Sequence, residues 1–192
     1  MNDEKKLTLP LSEDAVRELR CGDFVLLNGP LFTARDAAHQ RLAQGLLPDC
    51  DLSGAVLYHC GPVTVLTESG WRVTAAGPTT STREEPFMAT VIEALGLRGI
   101  IGKGGMGNAT LQACQQHGCV YFHAVGGAAQ LLADCVTRVV DVFWLDELGP
   151  PEAVWQFEVK DFPVVVTMDS AGNSLHAEVA EKSGKRLRDL VV

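Results

Sequence analysis

The sequence has no hydrophobic run long enough to cross a bilayer. Met1 to Lys6 is charged, and the apolar run that follows, Leu7 to Leu11, is broken by Pro10. A membrane span takes about 20 consecutive apolar residues and a secretory segment a longer core than this one, so neither is expected and the chain reads as cytoplasmic. A basic face is lacking too. Sixteen Lys and Arg stand against 24 Asp and Glu, a net charge of −8, which argues against non-specific binding to nucleic acid or to an anionic membrane. The six cysteines (Cys21, Cys50, Cys60, Cys114, Cys119, Cys135) include no CxxC pair and no other metal-ligand spacing. In a reducing compartment they read as small apolar side chains, and no metal site is expected in this chain. HExxH, HxH and a nucleophile elbow with its triad are also missing.

No internal repeat, low-complexity tract or linker-like run divides the 192 residues, so one domain is expected. A hydrophobic fraction of 46% and 19 glycines suit a soluble domain with a sizeable core and many tight turns. Strand and helix signals alternate along the chain. Ser12, followed by two acids, opens a short helix to about residue 19, and Gly22 stops it. Residues 24–28 read as a strand ending in a Gly29-Pro30 turn, and Thr33 and Asp36 have capping-box spacing for a helix that runs to about Gly45. Residues 55–59, 71–75, 99–102, 120–124, 139–144 and 164–168 read as strands. Phe87, Met88, Val91, Ile92 and Leu95 recur at helical spacing before Gly96. A further helix spans about 109–117 with Gly118 as its left-handed cap, and another lies near 128–136. This alternation predicts a single layered α/β domain over residues 1–177, with the polar stretch 178–192 as a peripheral helix or tail.

Three segments each put a cation where local physics favours an anion. Thr33-Ala34-Arg35-Asp36 lies at a predicted helix start. Gly77-Pro78-Thr79-Thr80-Ser81-Thr82-Arg83 runs into the helix at Glu84, and Gly102-Lys103-Gly104-Gly105-Met106-Gly107 precedes the helix near Ala109. A helix N terminus carries partial positive charge and disfavours a nearby Lys or Arg by about 0.3–1 kcal/mol. Arg35, Arg83 and Lys103, all so placed in an acidic chain, therefore point to a bound anion. Backbone N–H groups at helix starts and in glycine turns would add donors for it. Singly, each cation reads as a solvated side chain and the hydroxyl run as N-cap chemistry. If the loops converge, they form a pocket for a carboxylate-bearing substrate.

Gly102, Gly104 and Gly107 also fit GxGxxG after a strand. The dinucleotide motif needs an acid about 20 residues further on, and residues 122–127 carry none. A phosphate-binding loop needs Ser or Thr after Gly-Lys, where Gly104 stands. His39 shares a helix face with Arg35, while His59 and His123 fall at strand ends. All three read as structural more readily than as catalytic.

Together with Ala37-Ala38-His39, which completes the first segment, these stretches resemble the β-type half of class I fumarases and L-tartrate dehydratases. The likeness runs from about Leu7 to His176 and includes Cys60-Gly61-Pro62 and Asp169-Ser170-Ala171-Gly172-Asn173. Residues 28–32, Thr82 and Glu84 depart from the family's pattern. The resemblance implies a swivelling β/β/α domain and a hydro-lyase that reversibly hydrates fumarate to malate, with L-tartrate dehydratase as the alternative of the same class. It also implies a cluster-bearing α subunit that holds a 4Fe–4S cluster, and hence a hetero-oligomer in which this chain binds no cofactor itself. Carried over position by position, it implies that Arg35, Thr79, Thr80, Ser81, Thr82, Arg83 and Lys103 contact a small dicarboxylate. Thr79 would remove the C3 proton, and Asp36, His39, Gly102 and Gly104 would support these residues. A non-catalytic dicarboxylate-binding or assembly subunit is the alternative from another class.

Overall fold

The computed structural model describes residues 4–190; residues 1–3 and 191–192, the outer ends of the two segments predicted above, lie outside the described part. In chain order the elements are β1 (Lys5–Thr8), α1 (Glu13–Glu18), β2 (Phe24–Thr33), α2 (Asp36–Ala43), β3 (Val56–Tyr58), β4 (Val63–Thr67) and β5 (Gly70–Ala75). A 3-10 turn (Ser81–Glu84) leads into α3 (Glu85–Leu95), followed by β6 (Gly99–Gly102), α4 (Asn108–His117), β7 (Val120–His123) and α5 (Ala129–Asp134). The chain continues through β8 (Val136–Phe143), α6 (Leu145–Leu148), β9 (Val154–Met168) and α7 (Leu175–Leu190). Among the described residues no helix is long and apolar enough to cross a membrane.

Strands β1, β2, β3, β6 and β7 run parallel, in that order. Strand β9 runs antiparallel to β2, β7 and β8, so it closes β2, β3, β6 and β7 into a ring of paired strands. The short strands β3 and β6 are buried along their whole length, as expected of parallel strands covered on both faces. Alternation then sorts their side chains. Val56, Tyr58, Ile101, Val120 and Phe122 pack with Leu27, Phe157 and Phe162 in one core. Leu57, Ile100 and Tyr121 face the other way, against Ala38 and Leu42 of α2, Met88, Val91 and Ile92 of α3, and Cys114 of α4. The hairpin β4–β5 docks through Trp71, whose ring meets buried Trp155 edge-on at 5.2 Å. The result is one α/β domain with a mixed sheet.

Several elements form as their local signals predict. Ser12 caps α1 by accepting the N–H of Ala15 at 3.2 Å. Helices α3 and α4 end on left-handed Gly96 and Gly118. Others differ. Gly29-Pro30 does not turn: β2 runs through both, with a bulge between Leu27 and Gly29. Gly29 sits at φ 115° there, and a Cβ would lie 2.9 Å from the Leu9 carbonyl, so the bulge requires a glycine. Thr33 does not cap α2. Its hydroxyl donates to the Ala153 carbonyl and accepts the Trp155 N–H at 3.0 Å, tying β2 to β9. Strand β9 begins ten residues earlier than predicted, at Val154 rather than Val164. Lys160-Asp161-Phe162-Pro163 interrupts the apolar pattern, yet Pro163 pairs with Leu26 on one side. On the other side β8 has ended at Val159 and β7 begins at Val165, so no ladder partner there wants its missing N–H.

The Asp169–Asn173 stretch is a turn held by one carboxylate. Asp169 accepts the N–H groups of Cys21, Ala171 and Asn173 and the Asn173 amide, at 3.0–3.1 Å. These bonds fasten the end of β9 to the loop after α1. Burial would raise the carboxyl's pKa, but the donors around it bring it below the ordinary value.

Candidate active site

The C-terminal ends of parallel strands β2, β3 and β6 lie side by side, where open α/β sheets place their ligands. The ends of β2 and β6 lead directly into two of the cationic segments, and the third, which follows β5, docks beyond the end of β3. Beyond β3, the His59 carbonyl accepts both the backbone N–H of Thr79 (2.7 Å) and its hydroxyl (3.0 Å). Beyond β6, the Lys103 N–H donates to the Thr79 carbonyl at 3.3 Å, and the Ser81 N–H donates to the Lys103 carbonyl at 3.0 Å. Thr80 and Lys103 thus form a parallel bridge. Beyond β2, the Asp36 Oδ1 lies 3.5 Å from the Arg83 Nε. The segments carrying Arg35, Thr79 to Arg83 and Lys103 therefore meet at one edge of the sheet.

Arg35 is mostly buried and packs against Gly61, where a Cβ would come within 2.7 Å of its Nη1. Its Nε stands 3.4 Å from Glu152 and makes no hydrogen bond. Arg83 is about half exposed. Lys103 is part-buried, with no carboxylate in ion-pair reach among the described residues. Thr79 is part-buried, Thr80 and Thr82 are exposed, and Gly104 is exposed at φ 84°.

Ser81 lies behind this edge. Its hydroxyl is fully buried, 2.9 Å from His59 Nδ1 and 2.8 Å from the Tyr121 hydroxyl. Gly102 makes room for it, because a Cβ there would overlap the Ser81 Oγ. His39 is equally buried, with Nδ1 2.9 Å from the Arg35 carbonyl. Burial pushes its pKa down to about 4, and His59 is lowered well below its ordinary value for the same reason. Both imidazoles are neutral, and their rings meet edge-on at 4.8 Å.

The helix starts are not the anion sites that their positive ends suggest. Glu152 accepts the Ala37 N–H at 2.9 Å, in the first turn of α2. Glu85 accepts the Gly107 N–H at 2.7 Å and the Thr110 hydroxyl at 2.6 Å, at the start of α4. Carboxylates of the chain itself fill both places, which leaves Lys103, and the loosely paired Arg35 and Arg83, as the groups able to meet a ligand. Sequence spacing missed Glu152, Glu84, Glu85 and Tyr121, since their partners lie far along the chain. An acid next to Arg83 was the one local signal for Glu84.

Among the described residues no group of three or more His, Cys, Asp or Glu is placed to hold a metal ion. Burial pushes Cys60 up to about 12 and contributes most to raising Cys21 and Cys50 to about 11, so all three stand as protonated thiols at neutral pH.

The pattern of the family described as Fumarase C-terminus matches residues 2–179. The chain belongs to that family, the β-subunit family of class I fumarate hydratases and tartrate dehydratases. It is 51% identical over 182 residues to a protein of Geobacillus stearothermophilus provisionally named a class I fumarate hydratase, covering 94% of this chain and 35% of that relative. The chain thus spans about a third of that relative's length. It is 42% identical to a protein provisionally named L(+)-tartrate dehydratase subunit beta in Methanocaldococcus jannaschii, over 94% of this chain and 95% of the relative. It is 38% identical to L(+)-tartrate dehydratase subunit beta of Escherichia coli K12, over 98% and 94% respectively. At the level of the family, the chain groups with hydro-lyase β subunits.

Proposed function

We propose that this chain is the β subunit of an iron–sulfur hydro-lyase that reversibly hydrates fumarate to malate. The observation that carries the reading is the meeting, at one sheet edge, of the segments that bear Arg35, Thr79 to Arg83 and Lys103. Three cations in an acidic chain suit a substrate with two carboxylates. The higher identity to the fumarate hydratase relative than to the tartrate dehydratase subunits favours fumarate. Tartrate dehydratase is the second reading, favoured by the near-equal lengths of this chain and the named β subunits.

In dehydration, Arg35, Arg83 and Lys103 hold the carboxylates and stabilise the charge that builds beside C3 as its proton leaves. Thr79 Oγ receives that proton as its alkoxide, after its own O–H proton has passed to solvent. Before that loss the O–H is donated to the His59 carbonyl, which holds Oγ in place. An unperturbed threonine hydroxyl is a poor base, and Arg83, Lys103 and groups of the partner polarise it. A 4Fe–4S cluster on the α subunit supplies Lewis acidity toward the departing C2 hydroxyl. Thr80 and Thr82, exposed beside Thr79, add hydroxyl contacts, and Ser81 acts from behind through His59 and Tyr121. The same reading takes residues 1–177 as a swivelling β/β/α domain, 178–192 as a peripheral helix or tail, and the cytoplasm as the location.

The test is an anaerobic assay of the chain, alone and with its cluster-bearing partner, against malate, fumarate and both tartrates. Turnover only in the mixture, fastest on malate and fumarate, is expected. Preference for a tartrate selects the second reading. No turnover in a mixture with an intact cluster leaves a dicarboxylate-binding or assembly subunit.

A further inference from the structure

Next to Arg83 lies a carboxyl group that this reading does not use. Glu84, at the end of the 3-10 turn, is fully buried, and neither of its carboxyl oxygens has a hydrogen-bond partner. The groups facing it come from several elements. From α2, Asp36 stands close enough to repel it when both are ionised and to share a hydrogen bond once one of them carries a proton, and His39 Nδ1 is 3.8 Å away. That nitrogen is already engaged with the Arg35 carbonyl, and the neutral ring offers no charge. His59, stacked edge-on behind His39, is neutral as well. Glu152, from the segment before β9, adds repulsion, and Arg83 alone attracts.

An ionised Glu84 would therefore be a buried anion facing two other carboxylates and sharing one cation with Asp36. Such a group takes up a proton. As an acid it gains an O–H donor, and an acceptor is at hand. Asp36 Oδ1 is buried, stands 3.5 Å from Arg83 Nε and accepts no hydrogen bond.

We propose that Glu84 is a positioning residue: as a neutral carboxylic acid it donates its O–H to Asp36 and holds that carboxylate against Arg83. Burial first, and Asp36 second, raise its pKa to about 8, in keeping with this role. Above that pH the proton passes to solvent, two carboxylates repel each other beside Arg83, and the guanidinium is drawn away from the substrate. The proton on Glu84 stands independently of the enzyme's identity; the effect on substrate rests on the dicarboxylate reading above.

The experiment follows the Arg83 guanidinium by carbon-detected NMR of the full chain labelled with 13C,15N-arginine, assigned with an Arg83→Met variant. The wild-type resonance should move with a midpoint near pH 8. Glu84→Gln keeps a donor but cannot titrate, and its Arg83 resonance should stay still. No movement in wild type, or the same movement in Glu84→Gln, overturns the proposal. Glu84→Met, which fills the space without a donor, is the second variant; its Arg83 resonance should be pH-independent but displaced from that of Glu84→Gln. In the assembled enzyme, KM for the dicarboxylate should rise about fivefold across this transition at nearly constant kcat, the scale of a half-exposed ion pair, and stay flat in Glu84→Gln. A flat wild-type KM beside a titrating resonance overturns the coupling to substrate. A complex inactive on every dicarboxylate would defeat the functional reading and leave the NMR result to decide Glu84.

Discussion

The Glu85 carboxylate accepts the backbone N–H of Gly107 at 2.7 Å, so the first residue of α3 closes the N terminus of α4. Between them runs the glycine loop that begins with Lys103. One ion-dipole contact thus anchors the loop and fills the place where a ligand anion would otherwise sit. Glu85→Ala should cost about 1–2 kcal/mol, the scale of a lost helix cap, and lower the Tm by several degrees in thermal denaturation. An unchanged Tm would show that the cap carries no stability.

Gly102 and Gly104 stand two residues apart and should respond differently to a methyl group. At Gly102 a Cβ overlaps Ser81 Oγ and comes within 3.0 Å of the Tyr121 hydroxyl and 3.2 Å of His59 Nδ1. Gly104 has open space around it and needs only its positive φ of 84°. Gly102→Ala should lose about 3 kcal/mol or more through overpacking and a broken buried network. Gly104→Ala should lose about 1 kcal/mol of left-handed strain. Urea denaturation measures both; equal losses would contradict the packing around Ser81.

His39 gives the fold an acid-sensitive term. Its folded pKa of about 4 lies below the ordinary 6.5, so between these values the unfolded chain binds more protons and stability falls as pH falls. The integral is about 3 kcal/mol, complete once the pH is below 4. Glu84 acts in the opposite sense: its folded pKa is raised from 4.5 to about 8, so its contribution is full at low pH and is lost as pH rises through that window. His39→Asn removes the first term alone. Its stability, followed by urea denaturation from pH 7 to 4 (roughly the window of histidine titration), should decline less than that of wild type. Parallel curves would mean that His39 titrates alike in the folded and unfolded chain, against the lowered folded value.

Thr79 is tied to the fold by one side-chain hydrogen bond, its hydroxyl to the His59 carbonyl. Thr79→Ala should cost about 1 kcal/mol of stability and still assemble. In the assembled enzyme kcat should fall by roughly 10²–10⁴, the range of a lost proton-transfer group, with KM little changed. A wild-type kcat would remove Thr79 as the base.

Much of this was legible in the sequence. Helices with a cap or a periodic face, such as α1, α3 and α4, could be read because their determinants lie within a few residues. The three cations near helix starts were legible for the same reason. Their meeting was not, because it depends on backbone pairing of Thr79 and Ser81 with Lys103. Strand β9 was half hidden, since Asp161 and Pro163 are tolerated only through the gap between its partners β8 and β7. The buried roles of Ser81 and Glu84 were hidden too: a hydroxyl or a carboxyl in a polar run looks exposed until its neighbours are known. The helix starts misled in an instructive way, because Glu85 and Glu152 reach them from other elements.

The most direct test of the central claim is Lys103→Met in the assembled enzyme. Lys103 makes no ion pair among the described residues, so the variant should fold with an unchanged Tm and assemble normally. If the three segments form one dicarboxylate pocket, kcat/KM for malate and fumarate should fall by about 10²–10³, the cost of removing a preorganised cation from the developing charge. An unchanged kcat/KM in a properly assembled enzyme would contradict the pocket.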